Sequence, residues 1–432
     1  MSQNSFESQI NLNVRGLPVS ATLAINEKSA ELRRSGKKIY RLGLGQSPFP
    51  VPEQVVSVLR EKAHEKDYLP VKGLYDLRVA VARYHRRSQG IEASAEDVLI
   101  APGSKELMFL LQLVYYGDLL IPTPSWVSYA PQAHIIGRHV RWLATHREND
   151  WHLIPDELDR QCSLDPGKPR ILILNYPSNP TGRTYSDAEL RGLAEVAREH
   201  RVVLLSDEIY SELHHQGKHI SIARYYPEGT IISSGLSKWC GAGGWRLGTF
   251  LFPPGLRKLL DAMAVVASET YTSTSAPIQY AAVRAFNGGS EIERYLWLSR
   301  RILDALGTAM TNRLKAAGLI VSDPHGAFYL FPDFSNHLDK LHAAGIMTSD
   351  QLCNKLLDDT GVAVLPGSVF GRPPEEMTMR LAYVDFDGAL ALKSAATLPE
   401  GSRISEDFLL MNCRDMLDAA DLMCSWITNL AT

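Results

Sequence analysis

The sequence predicts an α/β protein with a large domain, whose mostly parallel central sheet is flanked by helices, and a smaller α+β domain built from the N-terminal arm and the C-terminal part. Two patterns predict it. Short apolar runs bounded by polar or turn residues recur through the middle of the chain, as strands buried on both faces require. Stretches of helical composition lie between them, and such alternation makes a mainly parallel sheet. A length of 432 residues, long for a single core, adds the second domain. The expected division is 1–50 for the arm and part of the smaller domain, 51–310 for the large domain and 311–432 for the C-terminal small domain.

In chain order, Ser20 to Arg34 reads as a helix entered through Pro18 and left near Gly36. The strand runs are Val98-Leu99-Ile100, Leu119-Leu120-Ile121, Ile171-Leu172-Ile173-Leu174, Val202-Val203-Leu204-Leu205 and Ile231-Ile232. Asp187 to Glu199, rich in Ala, Leu, Glu and Arg, suits a helix between two of them. A long amphipathic helix is expected from about Glu291 to Ala317. Strands around Leu319–Val321, Ala327–Leu330 and Met379–Tyr383 follow it in the smaller domain.

Composition narrows the function classes. Apolar content of 45% and charged content of 22% are those of a globular protein. A formal charge of −3 gives no electrostatic reason to expect nucleic acid or an acidic membrane as partner. The stretch Met1 to Arg15 lacks the apolar core of a secretory signal, and no run approaches the roughly 20 apolar residues of a membrane span. Five scattered cysteines without metal-ligand spacing read as reduced thiols of a cytoplasmic protein, with no metal site.

The chemistry concentrates in polar clusters at strand ends. Lys238 sits in Ser233-Ser234-Gly235-Leu236-Ser237-Lys238, with Gly243-Gly244-Trp245-Arg246 following. A lone lysine is ordinarily a surface charge. This one stands with Asp207 after an apolar run, Asn179 in a proline-bounded loop and Arg246, the set that a pyridoxal phosphate (PLP) site needs. The lysine amine takes the cofactor carbonyl and carries protons, tasks that need its pKa lowered. Asp207, costly to bury unless it has a charged partner, suits the pyridine nitrogen. Tyr210, two residues on, is placed by strand alternation on the side of Asp207, within reach of the phenolic oxygen; a core tyrosine is the alternative.

Asn179 can donate to that same oxygen and help hold a substrate carboxylate. Gly103-Ser104-Lys105 follows a strand and opens a helix, a ready anion site for phosphate beside Arg246. Trp126 offers a flat face to the ring, although an isolated tryptophan would read as core. Arg380 interrupts a strand of the smaller domain and can clamp an α-carboxylate at two points.

Together these motifs resemble the fold type I, PLP-dependent aminotransferases of class I/II, closest to the bacterial aspartate and aromatic aminotransferase branch. The resemblance runs from Pro18-Val19-Ser20-Ala21-Thr22 to about Tyr383 and includes Leu42-Gly43-Leu44-Gly45-Gln46, Asn179-Pro180-Thr181-Gly182, Ser206-Asp207-Glu208-Ile209-Tyr210 and Gly244-Trp245-Arg246. It implies ping-pong transfer of an amino group between an L-amino acid and a 2-oxo acid. Lys238, Asp207 and Tyr210 would be catalytic. Gly103, Ser104, Lys105, Trp126, Asn179, Ser237 and Arg246 would hold PLP, and Gly45, Asn179 and Arg380 the substrate carboxylate. Tyr68, in Asp67-Tyr68-Leu69-Pro70, would reach the neighbouring subunit's site, which implies a homodimer.

Departures and rivals belong beside this. Thr270 stands where one aspartate-specific branch carries an arginine. Asp387 to Asp407 reads as a surface loop inserted before a final helix, Phe408 to Leu430, with a lid or a partner contact as alternatives. A lyase or synthase of the same fold, working by β- or γ-elimination in the manner of aminocyclopropane carboxylate synthase, would keep the same residues. A non-catalytic PLP-binding effector module is the rival from another class; the few residues before Leu17 leave little room for its DNA-binding head.

Overall fold

The computed structural model describes residues 9–17, 21–399 and 401–430. A two-residue strand, β1 (Tyr40–Arg41), comes first. Seven strands then build the central sheet: β2 (Val98–Ala101), β3 (Asp118–Thr123), β4 (Val140–Ala144), β5 (Arg170–Asn175), β6 (Val203–Asp207), β7 (Thr230–Gly235) and β8 (Gly248–Leu251). Four short strands complete the set: β9 (Tyr329–Leu330), β10 (Val362–Ala363), β11 (Leu365–Pro366) and β12 (Met379–Ala382). The large sheet has the order β2-β8-β7-β6-β5-β3-β4. Strands β3 to β7 run parallel, and β8 lies antiparallel between β2 and β7.

Alternation within each run explains the layering. Leu119, Ile121, Ile171, Ile173 and Leu205 pack with Leu107, Leu111 and Met263 of helices Ser104–Val114 and Arg257–Ser268. Their neighbours Leu120, Leu172, Leu174 and Leu204 pack on the other face with Leu158, Leu190 and Leu193 of helices Pro155–Ser163 and Asp187–Glu199. Side chains two residues apart share a face, so an apolar run covered on both sides feeds two helical layers at once. The mostly parallel sheet flanked by helices is the expected architecture.

Helix Asp187–Glu199 has the expected bounds, and a capping box sets its start: Ser186 Oγ accepts from the Glu189 N–H at 3.3 Å, while Glu189 accepts from the Ser186 N–H at 2.7 Å. The long helix runs from Ser290 to Ala316. Two strands of the central sheet escaped the sequence reading, as did the two-residue strands β1, β10 and β11. The edge strand β4 carries Arg141 and Trp142 and is only partly buried, so it shows no apolar run. The short β8 is only four residues long and starts on Gly248.

Toward the C-terminus, Leu319–Val321 forms no strand and contributes one bridge, Ile320 to Asp333. The stretch 387–407 is more than a surface loop: it contains helix Gly388–Ala395, whose Ala391 and Ala395 enter the main core. The final helix is split at Cys413 into Glu406–Asn412 and Arg414–Asn429. Pro18 and Ser20, at the expected start of the first helix, fall outside the described residues; the helix itself is Ala21–Arg34.

Leu417 of the last helix is 1% exposed and joins the core that includes Leu303 and Leu306 of the long helix. Leu417→Ala should therefore lower stability by roughly 2–5 kcal/mol, read from the midpoint of urea unfolding. An unchanged midpoint would show that this helix contributes nothing to the core.

Candidate active site

Register across three parallel strands builds one edge of the site, because Asn175 and Asp207, at the ends of β5 and β6, stand side by side with Ser233 of β7. Open parallel sheets collect ligands beyond the carboxyl ends of their strands. Asp207 is 3% exposed. Tyr129 Oη donates to its Oδ2 at 2.6 Å and Ser233 Oγ to its Oδ1 at 3.2 Å. Burial pushes the Asp207 carboxyl up to about 6, against hydrogen bonds from Tyr129, Ser233 and the Ile209 backbone and the nearby charge of Lys238. Asn175 Nδ2 donates to the Asp207 carbonyl at 2.9 Å, and Asn175 Oδ1 accepts from the Asn179 N–H at 2.8 Å. One amide thus ties the aspartate strand to the asparagine loop.

Lys238 lies three residues beyond the end of β7. Its Nζ donates to the Gly45 carbonyl at 2.7 Å and lies 5.5 Å from the centre of the Tyr210 ring. Burial, then the positive charges of Arg380, Arg246 and Lys105, bring the amine down to about 8, with Asp207 acting the other way. Tyr210 and Tyr329 share a hydrogen bond of 2.7 Å between hydroxyls. A Cβ at position 45 would come 2.0 Å from Tyr329 Oη, so only glycine fits where the chain passes this pair.

The cations gather at the other end of the cavity. Lys105 Nζ stands 5.0 Å over the Trp126 ring, and its pKa is lowered by burial and by Arg246. Arg246 packs so closely on Gly103 that a Cβ there would meet its Nη2 at 2.2 Å. Gly103, with φ +95°, precedes helix Ser104–Val114, whose unpaired N–H groups favour an anion.

Arg380, on β12, is 3% exposed. Its Nη1 donates to Asn179 Oδ1 at 3.1 Å and its Nη2 to the Gly43 carbonyl at 2.5 Å, while the buried Nε has no partner. It stacks over Tyr329 at 4.8 Å and Phe370 at 5.2 Å. No carboxylate pairs with it among the described residues, and burial lowers its pKa.

A cavity of about 650 Å³ is lined by Gly45, Ser104, Lys105, Trp126, Asn179, Asp207, Tyr210, Ser237, Lys238 and Arg246, among others. Ten of the sequence-derived candidates therefore converge on one space. Gly103 and Arg380 stand just behind its wall, against Arg246 and Asn179. Tyr68 does not join them and is 88% exposed at the surface. Tyr210 arrives by a different route from the one expected: β6 ends at Asp207, so a turn, and not strand alternation, aims it. Glu208 faces away, bound to His219 at 2.9 Å and to Ser206 at 2.9 Å. Cys240 is fully buried with its thiol pushed up to about 12 by burial, which leaves it inert.

Sequence reasoning assigned no role to Tyr129, Asn175 or Tyr329. Asn175 carried a signal, an amide ending an apolar run. Tyr129 and Tyr329 carried none, since each acts through contacts across the fold.

The donor set fits PLP. Lys105, Arg246 and a helix N-terminus suit its phosphate, Asp207 its ring nitrogen and Trp126 its ring face, and Lys238 presents an amine of lowered pKa.

The aminotransferase class I and II family model matches residues 37–386. The chain belongs to that family. It is a PLP-dependent aminotransferase with relatives among bacterial aspartate aminotransferases. The aspartate aminotransferase of Bacillus subtilis (strain 168) is 33% identical over 380 residues, 86% of this chain and 93% of the relative. The aspartate/prephenate aminotransferase of Thermus thermophilus is 32% identical over 363 residues, 83% of this chain and 90% of the relative. Among solved structures, aspartate aminotransferase from Thermus thermophilus with maleate superposes with a TM-score of 0.80 at 30% identity, covering 89% of this chain and 97% of that one. The aspartate aminotransferase from Rhizobium meliloti gives 0.80 at 28% identity, covering 96% and 99%. These relatives favour transamination over the elimination and effector alternatives.

The lowered pKa of Lys238 is measurable in the cofactor-stripped protein. Acylation of Lys238, followed by peptide mass spectrometry across pH, should rise with a midpoint near 8. Only the neutral amine reacts, so labelling is suppressed below that pH. A midpoint near the ordinary lysine value of about 10.4 would show that the pocket does not tune it.

Proposed function

We propose that the chain moves the amino group of an L-amino acid to a 2-oxo acid with Lys238 as proton carrier. The observation that supports this most is the charge imbalance at the cavity: Lys105, Lys238, Arg246 and Arg380 surround one carboxylate, Asp207. That surplus matches two anions, the cofactor phosphate at Lys105 and Arg246 and the substrate α-carboxylate at Arg380 and Asn179.

PLP supplies the electron sink and the carbon that takes up the amino group. The protein's residues supply the rest. Arg380, fixed by Asn179 and the Gly43 carbonyl, orients the carboxylate and with it the Cα–H bond. Lys238, neutral at mildly alkaline pH, would take the proton from the substrate Cα and deliver it to the PLP carbon that takes up the amino group. Asp207, held by Tyr129 and Ser233, would stabilise positive charge on the ring nitrogen. Tyr210, Asn179 and Trp126 line the same cavity, where the first two would hold the phenolic oxygen and Trp126 would cover the ring.

The domain division at 50 and 310 belongs to this proposal. It is supported by all seven large-sheet strands falling between Val98 and Leu251, and by β1 pairing with β10 to tie the arm to the C-terminal part. So does a two-fold homodimer, supported by the exposure of Tyr68, a residue then free to reach the neighbouring subunit's site. A cytoplasmic location accords with five unpaired thiols. Among the described residues no helix is long and apolar enough to cross a membrane. The relatives' names make aspartate the first donor to test.

Transfer of an isotopically labelled amino nitrogen from donor to 2-oxo acid, followed by mass spectrometry, tests the roles. Lys238→Ala should slow transfer by at least about a hundredfold, the scale of a lost general acid–base group. Arg380→Gln should mainly raise the donor's half-saturating concentration. Label transfer by Lys238→Ala at the wild-type rate would overturn the assignment.

A further inference from the structure

Tyr329 lies on β9, where it pairs with Ala382 of β12, and is 1% exposed. Arg380 stands 4.8 Å over its ring, and the Tyr210 ring meets it edge-on with centroids 5.6 Å apart. Gly45 passes so close to the Tyr329 hydroxyl that no Cβ fits between them. These contacts fix the ring and leave its hydroxyl one direction. Among the described residues that hydroxyl has a single hydrogen bond, the 2.7 Å contact with Tyr210 Oη.

Two phenol protons have to be placed at this contact, since each hydroxyl has one to donate. Tyr210 is among the residues that line the catalytic cavity, and Tyr329 is not. Donation from Tyr210 to Tyr329 would leave the Tyr329 proton buried with no acceptor among the described residues, an unfavourable arrangement. Donation from Tyr329 to Tyr210 places that proton and frees the other for an acceptor inside the cavity. Acidity points the same way. Burial raises both hydroxyls above the ordinary phenol value, Tyr210 further than Tyr329, and the charge of Arg380 opposes the rise at each.

We propose that Tyr329 is a positioning residue for the cofactor's phenolic oxygen: it donates to Tyr210 Oη and so turns the Tyr210 proton toward that oxygen. The assignment rests on the transaminase reading and adds a residue that does not line the cavity. Hydroxyls donating in a chain strengthen one another, so Tyr329 acts through Tyr210. The charged and titratable groups facing the pair are Asp207, Lys238 and Arg380.

The test follows the visible absorption of the PLP-loaded protein across pH, without substrate. A hydrogen bond to the phenolic oxygen favours its anion, and so eases loss of the proton shared between that oxygen and the lysine nitrogen. Tyr329→Phe should therefore move the midpoint of the spectral change upward by roughly 0.3–1 pH unit. Fluorotyrosine in place of Tyr329, a stronger donor of nearly the same size, should move it downward. In a Tyr210→Phe background, Tyr329→Phe should add nothing. Tyr383→Phe removes another fully buried hydroxyl, one without a partner, and should leave the midpoint in place.

A downward or absent shift in Tyr329→Phe would overturn the proposal while leaving transamination standing. So would an equal shift in Tyr383→Phe or in the Tyr210→Phe background. Should Tyr329→Phe fail to fold, the fluorotyrosine protein decides, and an upward or absent shift there overturns the assignment. A wild-type protein that shows no visible band with PLP would sink both readings.

Discussion

Surplus positive charge, gathered around a single buried carboxylate, is the constraint on which the rest of this structure turns. Among the described residues, Lys105, Lys238, Arg246 and Arg380 meet Asp207 and no other acid around the cavity. Unpaired cations in a partly desolvated space are costly, and the protein bears that cost with neutral hydrogen bonds to backbone carbonyls and an asparagine. Gly45, Gly43 and Gly243 supply those carbonyls. On the proposed assignment a phosphate and a carboxylate would relieve that cost.

The sheet makes such a cluster possible. Asn175 and Asp207 close β5 and β6 in register with Ser233 of β7, so the three form a row across the sheet. The row holds Asp207 rigid while Tyr129 and Ser233 offset its burial. Below it, Glu208 engages His219, Ser221 and Ser206, anchoring the same strand end from the opposite face. Adjacent carboxylates on one chain thus face different partners, one toward the cavity and one toward the core.

Much of this was legible in the sequence because the residues announce themselves locally. A lysine after a polar turn, an aspartate closing an apolar run and an asparagine among prolines need no tertiary knowledge to stand out. The β5 and β6 runs were readable for the same reason, being apolar throughout and bounded by polar ends. The strand β4 was not, since an edge position tolerates Arg141 and Trp142 in place of an apolar run. Tyr129 and Tyr329 were invisible as site residues because their partners lie 78 and 119 positions away along the chain. The helix within 387–407 was hidden by its small residues, of which Ala391 and Ala395 are buried against larger neighbours. Tyr68 is a surface residue in the single chain, and nothing among its described residues packs it toward the cavity.

The most direct test of the account is the visible spectrum of the purified, PLP-loaded protein during one full cycle of donor and acceptor. The account expects a visible band that bleaches when an L-amino acid is added and returns when a 2-oxo acid follows, without release of ammonia. A band that persists while ammonia accumulates would contradict it and point to elimination. No band at all, with wild type and Lys238→Ala indistinguishable after adding PLP, would contradict the site itself.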